Sequence, residues 1–124
     1  MSRISIPQHF ELDFEPYDEG VIVRLAGEFD IACEAYFEAA LRPFEEQRHG
    51  IVIDLSALRF IDSSGLRLLI DAHERSHRDG YPLKIVLGDG PVRETFELTG
   101  LNHILPVTAV PATPPRGRAV GLYA

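Results

Sequence analysis

Two short apolar runs, Ile51-Val52-Ile53 and Leu83 to Leu87, flank a segment whose apolar residues recur at helical spacing, and this arrangement constrains the chain most. A run with little polar alternation suits a strand covered on both faces. Two such strands joined through a helix make a βαβ unit with a right-handed crossover, so a sheet with parallel strands is the expected frame. His9 to Glu15 alternates strictly, with Phe10, Leu12 and Phe14 on one side and His9, Glu11, Asp13 and Glu15 on the other. This is the pattern of a half-exposed edge strand. The turn residues Pro16 to Gly20 come next, then Val21 to Ala26 as a second strand closed by Gly27, so a β-hairpin opens the fold. After Asp30, a good N-cap, Cys33, Phe37, Ala40, Leu41 and Phe44 fall on one helical face, and Pro43 should end or kink that helix.

Asp54 to Ile61 reads as a short connection leading to Asp62-Ser63-Ser64-Gly65, with a helix from Leu66 to about Arg78 and Gly80 just beyond it. Gly88 to Pro91 start a third helix, Val92 to Leu98, stopped by Thr99-Gly100-Leu101; Ile104 to Val110 supplies a last strand. The expected class is therefore α/β, a small mixed sheet built from a β-hairpin and then βαβ units, with helices packed mainly on one side. Residues 1–110 make one domain. Residues 111–124, with three prolines, two glycines and two arginines, are expected to form a disordered tail.

The net charge is −7, and because the only charges after Pro106 are Arg116 and Arg118, residues 1–105 carry −9. So acidic a body has no electrostatic means of holding a phosphate backbone or an anionic lipid surface, which argues against nucleic-acid and membrane partners. No apolar run approaches the roughly 20 residues of a membrane span, and MSRISIPQHF lacks the basic flank and apolar stretch of a signal peptide. The expected compartment is the cytoplasm. Cys33 is the only cysteine, so no intrachain disulfide can form, and no thiolate metal site is expected.

His73-Glu74-Arg75-Ser76-His77 matches H-E-x-x-H, and Gly80 extends it to H-E-x-x-H-x-x-G. A catalytic zinc needs a third protein ligand, yet the position that would supply it is Leu83, inside an expected buried strand. The segment is read instead as the polar last turn of a helix, where His and Arg suit the negative end of the dipole. His9, His49 and His103 are scattered without ligand spacing, so no metal is assigned. Gly88-Asp89-Gly90-Pro91-Val92-Arg93 begins like a dinucleotide fingerprint but has Arg93 where the third glycine belongs. Neither Ser63 nor Ser64 has the flanking glycines of a nucleophile elbow. The chain is read as a non-enzyme with no cofactor.

Asp62-Ser63-Ser64-Gly65-Leu66 remains, at a strand-to-helix junction. In one reading Asp62 or Ser63 merely caps the helix, satisfying amides that have no partner within it. In the other, a surface hydroxyl on a first turn is open to a kinase, and a phosphate there adds roughly −1.5 to −2 charge and three acceptor oxygens without unfolding the core.

Three stretches carry a resemblance in order and spacing: Leu25-Ala26-Gly27-Glu28-Phe29-Asp30; Asp54-Leu55-Ser56 through Phe60-Ile61-Asp62-Ser63-Ser64-Gly65-Leu66; and Thr99-Gly100-Leu101. Together they resemble the STAS domain family, specifically the bacterial anti-sigma factor antagonists, over roughly residues 8–110. The resemblance implies a cytoplasmic switch protein whose unphosphorylated form binds a serine kinase that doubles as an anti-sigma factor, freeing a sigma factor. It also implies that the kinase phosphorylates Ser63, ending the contact, and that a metal-dependent serine phosphatase resets it. Carried over residue by residue, Ser63 is the phosphoacceptor, Asp62 holds it and meets the kinase, Ser64 and Gly65 build the first turn, and Asp30 lies on the same contact surface. Phe29 departs from the family's more frequent Leu, and the tail after Val110 has no assigned counterpart. The residues agree on one point independently: Asp30 and Asp62 each come directly after a strand, so parallel strands would place both at one end of the sheet. The competing reading is a permanently docked STAS subunit, either a scaffold of a stress-sensing complex or the small partner of a lipid-transport ATPase.

Overall fold

A computed structural model describes residues 7–18 and 20–109. The expected tail, 111–124, and the last residue assigned to the final strand, Val110, lie outside the described residues. Five strands form one sheet in the order β1 (Phe10–Tyr17), β2 (Gly20–Phe29), β3 (Gly50–Ile61), β4 (Leu83–Leu87), β5 (Val107–Ala109). The β1–β2 pair is antiparallel and every later pair is parallel, so the sheet is mixed, with the edge hairpin and the central third strand that the patterning implied. Between them run α1 (Glu34–Glu46), α2 (Ser63–Asp79) and α3 (Pro91–Thr99).

The helices cover one face. Val21, Val23, Leu25, Ile51, Ile53, Ile85 and Leu87 pack in the main core with Phe37 and Leu41 of α1, Leu66 and Leu69 of α2, and Val92 and Phe96 of α3. The alternate strand residues Ile22, Val52 and Val86 point the other way and form a separate small cluster, with Tyr17 against it. An apolar run such as Ile51-Val52-Ile53 thus feeds both faces at once.

β1 runs on through Pro16 and Tyr17, which the sequence reading gave to the turn, and pairs them with Val21 and Gly20; four further boundaries differ more widely. β2 does not stop at Gly27: that residue takes φ +93 and the strand continues to Phe29, with a register shift between Gly27 and Glu28. Asp54 to Ile61 is no connection but the second half of β3. It pairs β2 with one extra residue between Asp54 and Ala57 and another between Leu58 and Phe60, so buried side chains recur at Leu55, Leu58 and Ile61 instead of every second position. α2 starts at Ser63, three residues before the expected Leu66, and β5 starts at Val107 because Leu101–His103 forms a 3-10 turn first. Pro43 lies inside the last turn of α1, which ends three residues later, and Gly80 and Gly100 close α2 and α3 as expected.

Candidate functional site

The parallel β2–β3 register ends on the pair Phe29↔Ile61, so the next residues, Asp30 and Asp62, leave the sheet side by side. Each caps a helical turn. Asp62 is extended (φ −104, ψ −174), and its Oδ1 accepts the Gly65 amide at 3.0 Å while its carbonyl accepts the Leu66 amide at 3.0 Å. Asp30 is also extended, and its Oδ1 accepts the Ala32 amide at 3.0 Å at the head of a 3-10 turn, Ile31–Cys33, that precedes α1. The two caps are tied through Phe29, whose carbonyl accepts the Asp62 amide at 3.3 Å.

Ser63 is the first residue of α2 and is exposed; Ser64 is half-buried and Gly65 is buried. The amides of Ser63 and Ser64 belong to the first turn, where no carbonyl of the helix can reach them. A Cβ on Gly65 would stand 2.6 Å from the Phe29 carbonyl oxygen and 2.8 Å from Ile61 Cγ1, so glycine is what lets the turn close against β2 and β3. The capping reading of the D-S-S-G stretch is therefore correct for Asp62, and it leaves the Ser63 hydroxyl free at the surface.

The same end gathers residues that their spacing along the chain does not single out. His9 and Asp30 are far apart in the chain, but the hairpin register puts Glu28 opposite His9, whose carbonyl accepts the Glu28 amide at 2.9 Å. This brings His9 Nε2 to 3.0 Å from Asp30 Oδ2, an ion-pair distance without hydrogen-bond alignment. Cys33, fully buried, directs its thiol to the Glu28 carbonyl at 3.4 Å and to Asp30 Oδ1 at 3.6 Å. Burial works to raise the Asp30 carboxyl, but the His9 imidazole and the Ala32 amide outweigh it and hold it below the ordinary carboxylate value. Burial pushes the Cys33 thiol up to about 11. Ile31, 64% exposed, and Phe60, 49% exposed, add apolar surface beside the two caps. Their only signal in the sequence is an apolar residue next to each Asp-ended stretch.

The H-E-x-x-H and Gly88-Asp89-Gly90 strings have structural duties. Arg75, within H-E-x-x-H, ties α1 to α2 through Glu38 Oε2 at 2.7 Å and Glu45 Oε2 at 3.0 Å, while His73 and His77 merely tilt toward each other, ring centroids 6.4 Å apart. Arg93 donates to the Gly88 carbonyl at 2.8 Å and the Leu87 carbonyl at 3.3 Å, closing the Gly88-Asp89-Gly90 loop on its own backbone. Among the described residues, no helix is long and apolar enough to cross a membrane.

Residues 11–113 match the family model for the STAS domain. An anti-sigma-B factor antagonist from Bacillus subtilis (strain 168) is 25% identical over 101 residues, covering 82% of this chain and 93% of that protein. The crystal structure of an anti-sigma factor antagonist from Mycobacterium paratuberculosis superimposes with a TM-score of 0.75 at 26% identity, covering 96% of this chain and 97% of the other. The Bacillus cell fate determinant SpoIIAA, solved in its phosphorylated form, shares the fold with a TM-score of 0.64 at 21% identity, over 82% of this chain and 93% of its own.

Proposed function

The chain belongs to the STAS domain family, and within it we propose that this protein is a cytoplasmic anti-sigma factor antagonist, without enzymatic activity of its own, switched by phosphorylation of Ser63. The observation that carries this reading is the placement of Ser63: an exposed hydroxyl at the first position of α2, next to an Asp62 whose carboxylate is already committed to the Gly65 amide. In the unphosphorylated state the surface made by Asp30, Asp62, Ser63 and the first turn at Ser64 and Gly65, with Ile31 and Phe60 beside it, docks on a serine kinase that acts as an anti-sigma factor. The kinase then transfers the terminal phosphoryl group of ATP: the Ser63 oxygen forms the new bond to phosphorus, the bond to the leaving ADP breaks, and the hydroxyl proton passes to a base of the kinase.

The product keeps its fold and changes its surface. A phosphate at the first helical position faces the unpaired amides and the positive end of the α2 dipole, an attraction of about 0.3–1 kcal/mol at an exposed site. The neighbouring Asp62 and the acidic body oppose it by like charge, as they oppose an acidic partner. A partner fitted to a neutral hydroxyl meets roughly −1.5 to −2 of new charge, and lets go. A metal-dependent serine phosphatase restores the hydroxyl. A solved phosphorylated form of SpoIIAA supports the compatibility of this fold with such a modification.

Incubation with the cognate anti-sigma kinase and ATP, followed by intact-mass measurement, tests the proposal. One added phosphate on the wild type and none on Ser63→Ala is the expected result. No added phosphate, with the protein instead retained permanently in one complex, would replace the switch with a scaffold role.

A further inference from the structure

We propose that His9, Asp30 and Cys33 form a binding site for a thiophilic divalent cation, with zinc its best-suited occupant. The imidazole Nε2, a carboxylate oxygen and the thiol sulfur all lie within 4.8 Å of one another. Zinc bonds to N, O and S at about 2.0–2.3 Å in a tetrahedron, so its ligand atoms stand about 3.3–3.7 Å apart. His9 Nε2 lies 3.0 Å from Asp30 Oδ2 and Cys33 Sγ 3.6 Å from Asp30 Oδ1, so the imidazole and the thiol approach one carboxylate through its two oxygens, and an ion between them would draw the three ligand atoms to that spacing.

Three features make this more than a chance meeting of polar groups. First, the ligands are held from two places: His9, ahead of β1, by the backbone bond to Glu28, and Asp30 and Cys33 by the single 3-10 turn that Asp30 caps and the fully buried Cys33 ends. Second, His9 Nε2 is itself shielded from solvent and faces the Asp30 carboxylate at 3.0 Å off hydrogen-bond alignment, so nitrogen and oxygen already converge on one point. Third, there is a way in, because the His9 and Asp30 side chains stay 35% and 27% exposed. The mixed sulfur, nitrogen and oxygen set suits zinc and cobalt better than magnesium or calcium, which take oxygen.

Binding balances as an exchange. The Cys33 S–H bond breaks, a sulfur–metal bond forms, the proton goes to solvent, and the weak thiol contact with the Glu28 carbonyl is given up; water completes the tetrahedron. Thiolate and carboxylate together offset the dication, so the cluster becomes neutral and Asp30 leaves the acidic surface. That last consequence bears on the proposed partner contact and rests on that reading; cation binding itself does not.

Titration of the untagged, metal-free full chain with Co(II) tests the site, because a cobalt–thiolate bond absorbs in the near ultraviolet. Saturation at one Co(II) per chain with that absorption, reversed by Zn(II), is expected. Cys33→Ser should remove the band, and His9→Gln, on a partly exposed residue ahead of β1, should keep the unfolding curve while weakening Co(II) beyond the roughly tenfold lower bound for losing even an outer-sphere partner. His77→Gln should change nothing. Absence of the band in the wild type, a His9→Gln affinity within tenfold of it, or a loss caused by His77→Gln would each overturn the assignment, and none of these depends on phosphorylation.

Discussion

Gly65→Ala adds a single methyl group at the point where α2 meets both β2 and β3, and the sign of its effect distinguishes packing from propensity. Taken as a helix position alone, the change should help by up to about 1 kcal/mol, since glycine is the poorest helix former after proline. The packing reverses that sign. The new Cβ would lie 2.6 Å from the Phe29 carbonyl oxygen, 2.8 Å from Ile61 Cγ1 and 3.1 Å from the Phe29 ring. The nearest of these is backbone, held by the Asp62 amide, and Phe29 is fully buried between Phe10, ring centroids 5.3 Å apart, and Phe37, at 4.9 Å. Overpacking of this kind costs about 1–3 kcal/mol, and contact with immobile backbone puts it in the upper half of that range. After the propensity gain, a net loss of about 1–2 kcal/mol remains. Urea unfolding would read it directly, and the melting temperature should fall by about 5–10 °C for a domain of this size. Phe29→Leu in the same chain should rescue little, because the carbonyl is closer than the ring. A neutral or stabilising Gly65→Ala, or a full rescue by Phe29→Leu, would refute the reasoning.

Ser63→Asp should unfold within about 0.5 kcal/mol of wild type, being an exposed residue at a helix start where acids are favoured, and should lose binding to the anti-sigma kinase in a pull-down. Tyr81, buried, donates its hydroxyl to Glu45 Oε2 at 3.1 Å, and burial first, then the Glu45 charge, raises its pKa above the ordinary 10.0. A pKa higher in the fold than in the open chain gives stability that is complete below about pH 10 and lost above it. Unfolding free energies between pH 8 and 11 should therefore fall less steeply in Tyr81→Phe than in wild type. Arg75→Met leaves Glu38 and Glu45 facing each other without their shared cation; with the Arg75 side chain 23% exposed, the cost at pH 7 should be about 1–3 kcal/mol in urea and shrink as the pH falls through the carboxylate range.

Much of the site could be read from the chain because its signals are local. Asp62 before a helical pattern, Pro91 at a first turn and Gly80 past a last one each act on the residues beside them, and the shared end of Asp30 and Asp62 comes from parallel strands alone. The failures have a common origin in departures from strict period. Ser56, Ala57, Arg59 and Phe60 are exposed while Leu55, Leu58 and Ile61 are buried, a spacing of three that no regular strand shows; only the two extra residues against β2 explain it. Gly27 looks like a terminator because glycine usually is one, whereas here its positive φ lets β2 bend and continue. His9 is invisible in the sequence as a neighbour of Asp30 because their meeting depends on hairpin register, which no spacing along the chain encodes.

After its last pair with β4, Asp54↔Val86, the third strand runs on for seven residues that, among the described residues, pair with β2 alone, with Gly88 close against Ser56 at the start of that stretch. Bare margins of that length invite sideways growth, one molecule laying its own strand along another until a fibre results. Here the twin irregularities spoil the flat template that a visiting strand would copy, and Arg59 sets a positive charge along it. The same two extra residues that set the spacing of the buried side chains in β3 thus also guard its flank against polymerisation.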